Sequence, residues 1–148
     1  VRDNLREWLQ RLCWAGREEV FEDGMESNFS RELVACIEEH GEAAIHAICE
    51  LTDTVNPSVL SEALRWIGHM AHNDTYQARF NLLTFCLTHS YARVRDGAGL
   101  GLASMDDPQA IPYLERAIAA ERIPELKHDM EMVLAQLTAT AAELRAIC

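Results

Sequence analysis

Four apolar positions on one helical face recur three times along this chain, and the recurrence limits what the chain can fold into. Val59, Ala63, Ile67 and Met70 match Val94, Ala98, Leu102 and Met105 35 residues on, and Leu126, Met130, Leu134 and Leu137 after a further 32. Apolar residues at these intervals lie along one side of an α-helix. A looser set precedes each: Ile45, Ile48 and Leu51, then Phe80, Leu83 and Cys86, then Ile111, Leu114 and Ala117. Period-2 alternation rich in Val, Ile and Thr, the mark of strands, is missing.

A two-helix unit of about 30–35 residues cannot bury its apolar face alone and must stack on its neighbours. The pattern therefore predicts an all-α fold, a right-handed α-α superhelix (α-solenoid) of about four antiparallel helix hairpins. Punctuation agrees, because Asn56-Pro57, Asn73-Asp74-Thr75, Asp106-Asp107-Pro108 and Ile123-Pro124 each offer a cap or a proline suited to a first helical turn. Helices are expected near 3–15, 28–39, 42–53, 57–71, 75–88, 91–105, 108–120 and 123–137, with a short one near 139–147. The 148 residues suit one domain. Residues 1–39 form a divergent N-terminal cap hairpin with an acidic loop at 16–27, residues 40–137 three repeat units, and residues 138–148 a C-terminal tail or helix.

The stretch ARVRDGAGLGLASMDDPQAIPYLERAI, from Ala92 to Ile118, resembles the second helix, turn and next first helix of HEAT or HEAT-like repeats. The Val-Arg pair, small residues at Ala98 and Ala103, apolar Leu100 and Leu102, and the Asp-Pro turn into Ala-Ile-Pro-Tyr-Leu carry the resemblance. It covers roughly residues 40–137 and weakens outward, since Leu60 and Lys127 stand where the middle unit has Arg95.

Thirteen Lys and Arg against 24 Asp and Glu leave a net charge of -11. Such a field repels phosphate backbones, whose binding depends on neutralisation by cationic side chains, so nucleic acid is disfavoured as a partner. Most of the excess lies in residues 1–53. Five cysteines without a compact spacing pattern fit a reducing compartment and predict no structural disulfide. No apolar run is long enough to span a bilayer, and Val1-Arg2-Asp3-Asn4 lacks the order of a signal peptide, so the expectation is a cytoplasmic chain that engages no membrane.

Chemistry-bearing constellations are weak. Cys36 and His40, with His46 and Cys49 across the Gly41 turn, have the composition of a Cys2His2 zinc site, but the thiols sit in apolar stripes and the spacing is not that of a zinc module. His69, His72 and Asp74 read better as polar residues at a helix end. HEAT-like deoxyhypusine hydroxylases hold iron with His-Glu dipeptides, and none of the six histidines is followed by Glu. Gly97, Gly99 and Gly101 follow no strand and precede no Gly-Lys-Ser/Thr, so close helix packing explains them better than a phosphate loop. No catalytic residue, metal or cofactor is assigned.

Opposite the apolar face of each second helix lies the stripe Ser61, Arg65, Gly68 and His72, continued as Asp96, Leu100, Ala103 and Asp107, and then as His128, Met132, Ala135 and Ala139. On the solenoid reading it lines the concave surface. Leu100 and Met132, flanked by Arg65, Arg93 and Arg95, suggest a groove for a protein or peptide segment. The acidic loop residues Glu18, Glu19, Glu22, Asp23 and Glu26 offer a contact strip for a basic partner, with Val20, Phe21 and Met25 pinning the loop to the cap. Trp66 is placed at the edge of the core, its indole N–H free to reach a partner or solvent. The functional expectation is a non-catalytic interaction module, an adaptor, scaffold or regulatory subunit, capable of self-association through its repeat ends. The alternative is an enzyme or enzyme subunit on the same scaffold, lyase-subunit-like or metal-dependent.

Overall fold

A computed structural model describes residues 2–147. Helices occupy Arg2–Gly16 (α1), Asn28–His40 (α2), Glu42–Glu50 (α3), Pro57–His69 (α4), Tyr76–Cys86 (α5), Ala92–Met105 (α6), Ile111–Ala120 (α7) and Pro124–Ile147 (α8), and no strand occurs among the described residues. Local chemistry sets several starts. Asn56 accepts from the N–H groups of Ser58 and Val59 (2.9 and 3.3 Å), with Pro57 in the first turn of α4. Asp107 does the same for the 3-10 turn Pro108–Ala110 that leads into α7, accepting from Gln109 N–H at 2.9 Å. Ser27 and Ser30 form a reciprocal capping box on α2. Gly41, at φ 60°, ends α2 and opens α3 in a single residue, a backbone conformation that glycine adopts at little cost.

The expected helices at 123–137 and 139–147 are one uninterrupted helix. Leu137-Thr138-Ala139 contains neither Gly nor Pro, so nothing there breaks α8, and the Thr138 hydroxyl is accommodated within the helix by donating to the Leu134 carbonyl at 2.8 Å.

Helices of one kind pack in series, α1 on α3 and α3 on α5 in one layer, and α2 on α4, α4 on α6 and α6 on α8 in the other. The repeated apolar positions face inward between the layers. Val59, Ala63 and Ile67, Val94, Ala98 and Leu102, and Leu126 and Met130 are all buried, together with Ile45, Ile48, Phe80, Leu83 and Leu114. Met70 and Met105, the fourth positions, are half-buried, whereas in the last unit the third position, Leu134, is half-buried and the fourth, Leu137, is fully buried. The closest approach in the fold lies between α4 and α6, where Ser61 and Gly68 of one helix meet Gly97 and Gly101 of the other with no room for an added Cβ. Half of the stripe expected to be open on α4 is therefore an interhelical contact.

Three charged side chains are built into this frame. Arg79 is fully buried and donates to the carbonyls of Ile67 (2.8 Å), Met70 (3.3 Å) and Ala71 (2.8 Å), which form the C-terminal end of α4. Glu62 is 3% exposed and accepts from Trp66 Nε1 at 2.8 Å and Arg65 at 2.9 Å, so the Trp66 indole is used inside the protein. Buried Glu121 takes a two-pronged bond from Arg95 (2.8 and 3.0 Å) and tethers the start of α6 to the turn before α8.

Candidate functional site

The second-helix layer leaves one groove that joins residues of the predicted stripe. It lies between α6 and α8, has a volume of about 700 Å³, and is lined by Asp96, Gly99 and Leu100 from α6 and by Asp129, Met132 and Val133 from α8. Leu100 is 43% exposed and Met132 60%, so the two walls carry apolar surface that the packed core covers only in part. Met130 and Leu126, from the inward face of α8, close the bottom.

Asp96 stands at the mouth. It is half-buried, and no hydrogen bond or ion pair among the described residues satisfies its carboxylate. Burial and the neighbouring Asp129 carboxylate push its proton affinity up, Arg93 and Arg65 partly oppose this, and Asp23 of the N-terminal loop adds to it. Arg65 is itself shared between Glu62 at 2.9 Å and Asp23 at 3.5 Å. Asp96 and Asp129 line the groove, with Asp23, Arg65 and Arg93 within electrostatic reach of Asp96.

Other residues of the predicted stripe are engaged by neighbouring groups of the same chain. Arg95 is held by Glu121 and by the carbonyls of His89 (2.9 Å) and Ser90 (3.2 Å). Asp107 caps its own turn and accepts from the Tyr76 hydroxyl at 2.7 Å; burial and that bond push the hydroxyl up to about 12. His72 stacks on the Tyr76 ring with centroids 4.1 Å apart. Arg93 and His128 are exposed but do not line the groove. Asp129 was missed because the offset of 32 carries Asp96 onto His128, one residue short of the side chain that α8 turns toward α6.

The acidic loop divides in the same way. Glu19 is structural, its two carboxylate oxygens accepting from Asn28 and Phe29 N–H at 3.0 Å each, where a negative charge also complements the helix N-terminus. Asp23 reaches Arg65, Glu26 lies 3.9 Å from Arg31, and Glu18 and Glu22 are exposed. Phe21 alone of the three expected anchors pins the loop, its ring 5.8 Å from Phe29, while Val20 and Met25 are exposed.

Cys36 and Cys49 belong to different places. Cys36 lines a groove of about 570 Å³ between α1 and α2, beside Leu5, Trp8 and Ala35, whereas Cys49 lies within electrostatic reach of Cys86. Burial pushes the thiols of Cys13 and Cys86 up to about 12 and that of Cys36 up to about 11. No three His, Cys, Asp or Glu side chains among the described residues converge as metal ligands.

Residues 31–135, most of the chain, match the family model for HEAT repeats. The chain belongs to the HEAT-repeat family. The match begins within α2, at residue 31. No curated protein and no solved structure matches the chain. HEAT repeats are commonly scaffolds for protein interaction and generally non-enzymatic. No helix among the described residues is long and apolar enough to cross a membrane.

The Arg95–Glu121 pair gives this HEAT-repeat chain a testable acid limb. The Arg95 hydrogen bonds hold Glu121 below its ordinary value of 4.5. Its folded proton affinity is lower than its unfolded one, so its contribution to stability is present above that range and is lost as pH falls through the folded value. Glu121→Gln is expected to cost about 1.5–3 kcal/mol at neutral pH. It should also flatten the fall of the urea midpoint between pH 5 and 3; an unchanged slope would show that other carboxylates set the acid limb.

Proposed function

We propose that this HEAT-repeat chain is a non-catalytic protein-interaction module that holds a segment of a partner protein in the groove between α6 and α8. The observation that carries this reading is the pair Leu100 and Met132, large exposed apolar side chains that line one groove from two different helices. Exposed apolar surface of this kind, rimmed by polar residues, marks interaction sites in soluble domains. A rigid two-layer scaffold suits such a role, because the groove walls are packed helices and little order is lost when a partner enters. The net charge of -11 steers basic partners toward the surface and disfavours nucleic acid.

The reading is tested by capture from cell extract on the immobilised protein beside a Leu100→Glu/Met132→Glu variant. Both positions are exposed, so the variant is expected to fold with an unchanged circular dichroism spectrum. At least one protein retained by the wild type should be lost from the variant. Identical sets of captured proteins on the two would remove the groove from consideration.

A further inference from the structure

The groove pairs apolar surface with two carboxylates, Asp96 and Asp129, that no hydrogen bond or ion pair among the described residues engages, with Arg93 and Arg65 acting on Asp96 only at longer range. Along α6, Asp96 and Leu100 lie one turn apart, about 6 Å along the axis, and along α8 Asp129 and Met132 repeat the arrangement. Each wall thus presents an acidic group and, a turn further on, a large apolar side chain.

The walls offer an incoming backbone very little. Gln136, the other polar side chain along the groove, already donates to the Ala103 carbonyl at 2.9 Å and to Asp106 at 3.0 Å. The backbones of both walls are bonded within their own helices. An extended peptide would gain no backbone hydrogen bonds from these walls, whereas a helix brings its own. The lining on α8 runs from Leu126 to Gln136, about 15 Å at 1.5 Å per residue, which is the length of a three-turn helix.

We propose, resting on the interaction-module reading above, that the occupant of the α6–α8 groove is a short amphipathic helix of a partner protein that sets a Lys or Arg between Asp96 and Asp129 and an apolar side chain, one turn away, between Leu100 and Met132. Charge complementarity selects this occupant. Two carboxylates at the mouth of an apolar groove repel an acidic segment and leave a neutral one unrewarded, while a cationic head relieves their mutual repulsion. The pair is therefore a liability in the free protein and an asset in the complex. Burial first, and the Asp129 carboxylate second, raise the proton affinity of Asp96 in the free protein.

The test uses fluorescein-labelled, alanine-based helical peptides of about fourteen residues, read by polarisation in about 50 mM salt. One carries Leu and Arg a turn apart, a second has the same composition with Arg moved to the opposite face, and a third has Glu in place of Arg. Wild type is expected to bind the first at least roughly tenfold tighter than the other two. In Asp96→Asn/Asp129→Asn that preference should shrink below about threefold while the melting temperature stays level or rises by about 2 °C. Single Asp129→Asn, at an exposed position, gives the same readout should the double variant fold poorly. Equal binding of all three peptides, an unchanged preference in the variants, or no saturable binding would overturn the proposal. Binding that ignores the Arg but disappears in Leu100→Glu/Met132→Glu would leave the interaction-module reading standing without its cationic partner. Loss of both, with unchanged capture from extract, would sink the two together.

Discussion

Gly101→Ala is expected to destabilise the protein by about 3 kcal/mol, while Gly99→Ala, two residues earlier in the same helix, stabilises it by up to about 1 kcal/mol. A Cβ on Gly101 would stand 2.6 Å from the Leu64 carbonyl oxygen and 2.7 Å from a Leu83 methyl. The first of these is backbone and cannot swing aside, so α4 and α6 must separate. Gly97 is similarly confined, with Ser61 backbone atoms 2.7 Å from its Cβ position, and Gly68 would press directly on the Gly101 backbone. Nothing lies within 4 Å of a Cβ on Gly99, so alanine there only removes the conformational penalty of glycine in a helix. Thermal unfolding separates the two, with a loss of roughly 10 °C against a gain of a few degrees. Equal and small shifts would mean that the α4–α6 crossing is looser than these distances imply.

Arg79→Met should cost about 3–5 kcal/mol, although it replaces a buried charge by an apolar side chain of similar length. Arg79 has no carboxylate partner among the described residues. Its guanidinium is neutralised instead by the carbonyl-rich end of α4, through Ile67, Met70 and Ala71, and its Nε donates to Thr75 Oγ1 at 2.8 Å. Burial lowers its proton affinity, yet an Arg remains charged at any working pH. Removing it takes the donor from the buried Ile67 carbonyl and from the part-buried Met70 and Ala71 carbonyls, and Lys cannot restore a planar fork that spans several acceptors. Urea denaturation is therefore expected to place Arg79→Lys much nearer to Arg79→Met than to wild type. A Lys variant of wild-type stability would reduce the role of Arg79 to that of a point charge.

Residue spacing and local chemistry made the helical layers legible. The threefold recurrence of Val59, Val94 and Leu126 and their followers marks buried faces, because the period of an α-helix is a local property that any stretch of chain carries with it. Asn56-Pro57 and Asp107-Pro108 could be read as helix starts for the same reason, since a cap is satisfied within three residues. Leu100 and Met132 were found by carrying one helical face through two repeats.

The remainder depended on how one helix is rotated and offset against the next. That choice makes Gly97 and Gly101 indispensable and Gly99 replaceable, although the three stand in one run of sequence. It also withdraws Arg95 to Glu121 across 26 residues, and brings Asp129 rather than His128 beside Asp96. A helical period names the face that must be buried. It does not name the neighbour, because interhelical angle and axial offset are set by side chains distant in sequence meeting at van der Waals distance. The sequence by itself therefore determined a stacked helical-hairpin architecture with an acidic surface, and only the tertiary structure decided which carboxylates and apolar side chains share a groove.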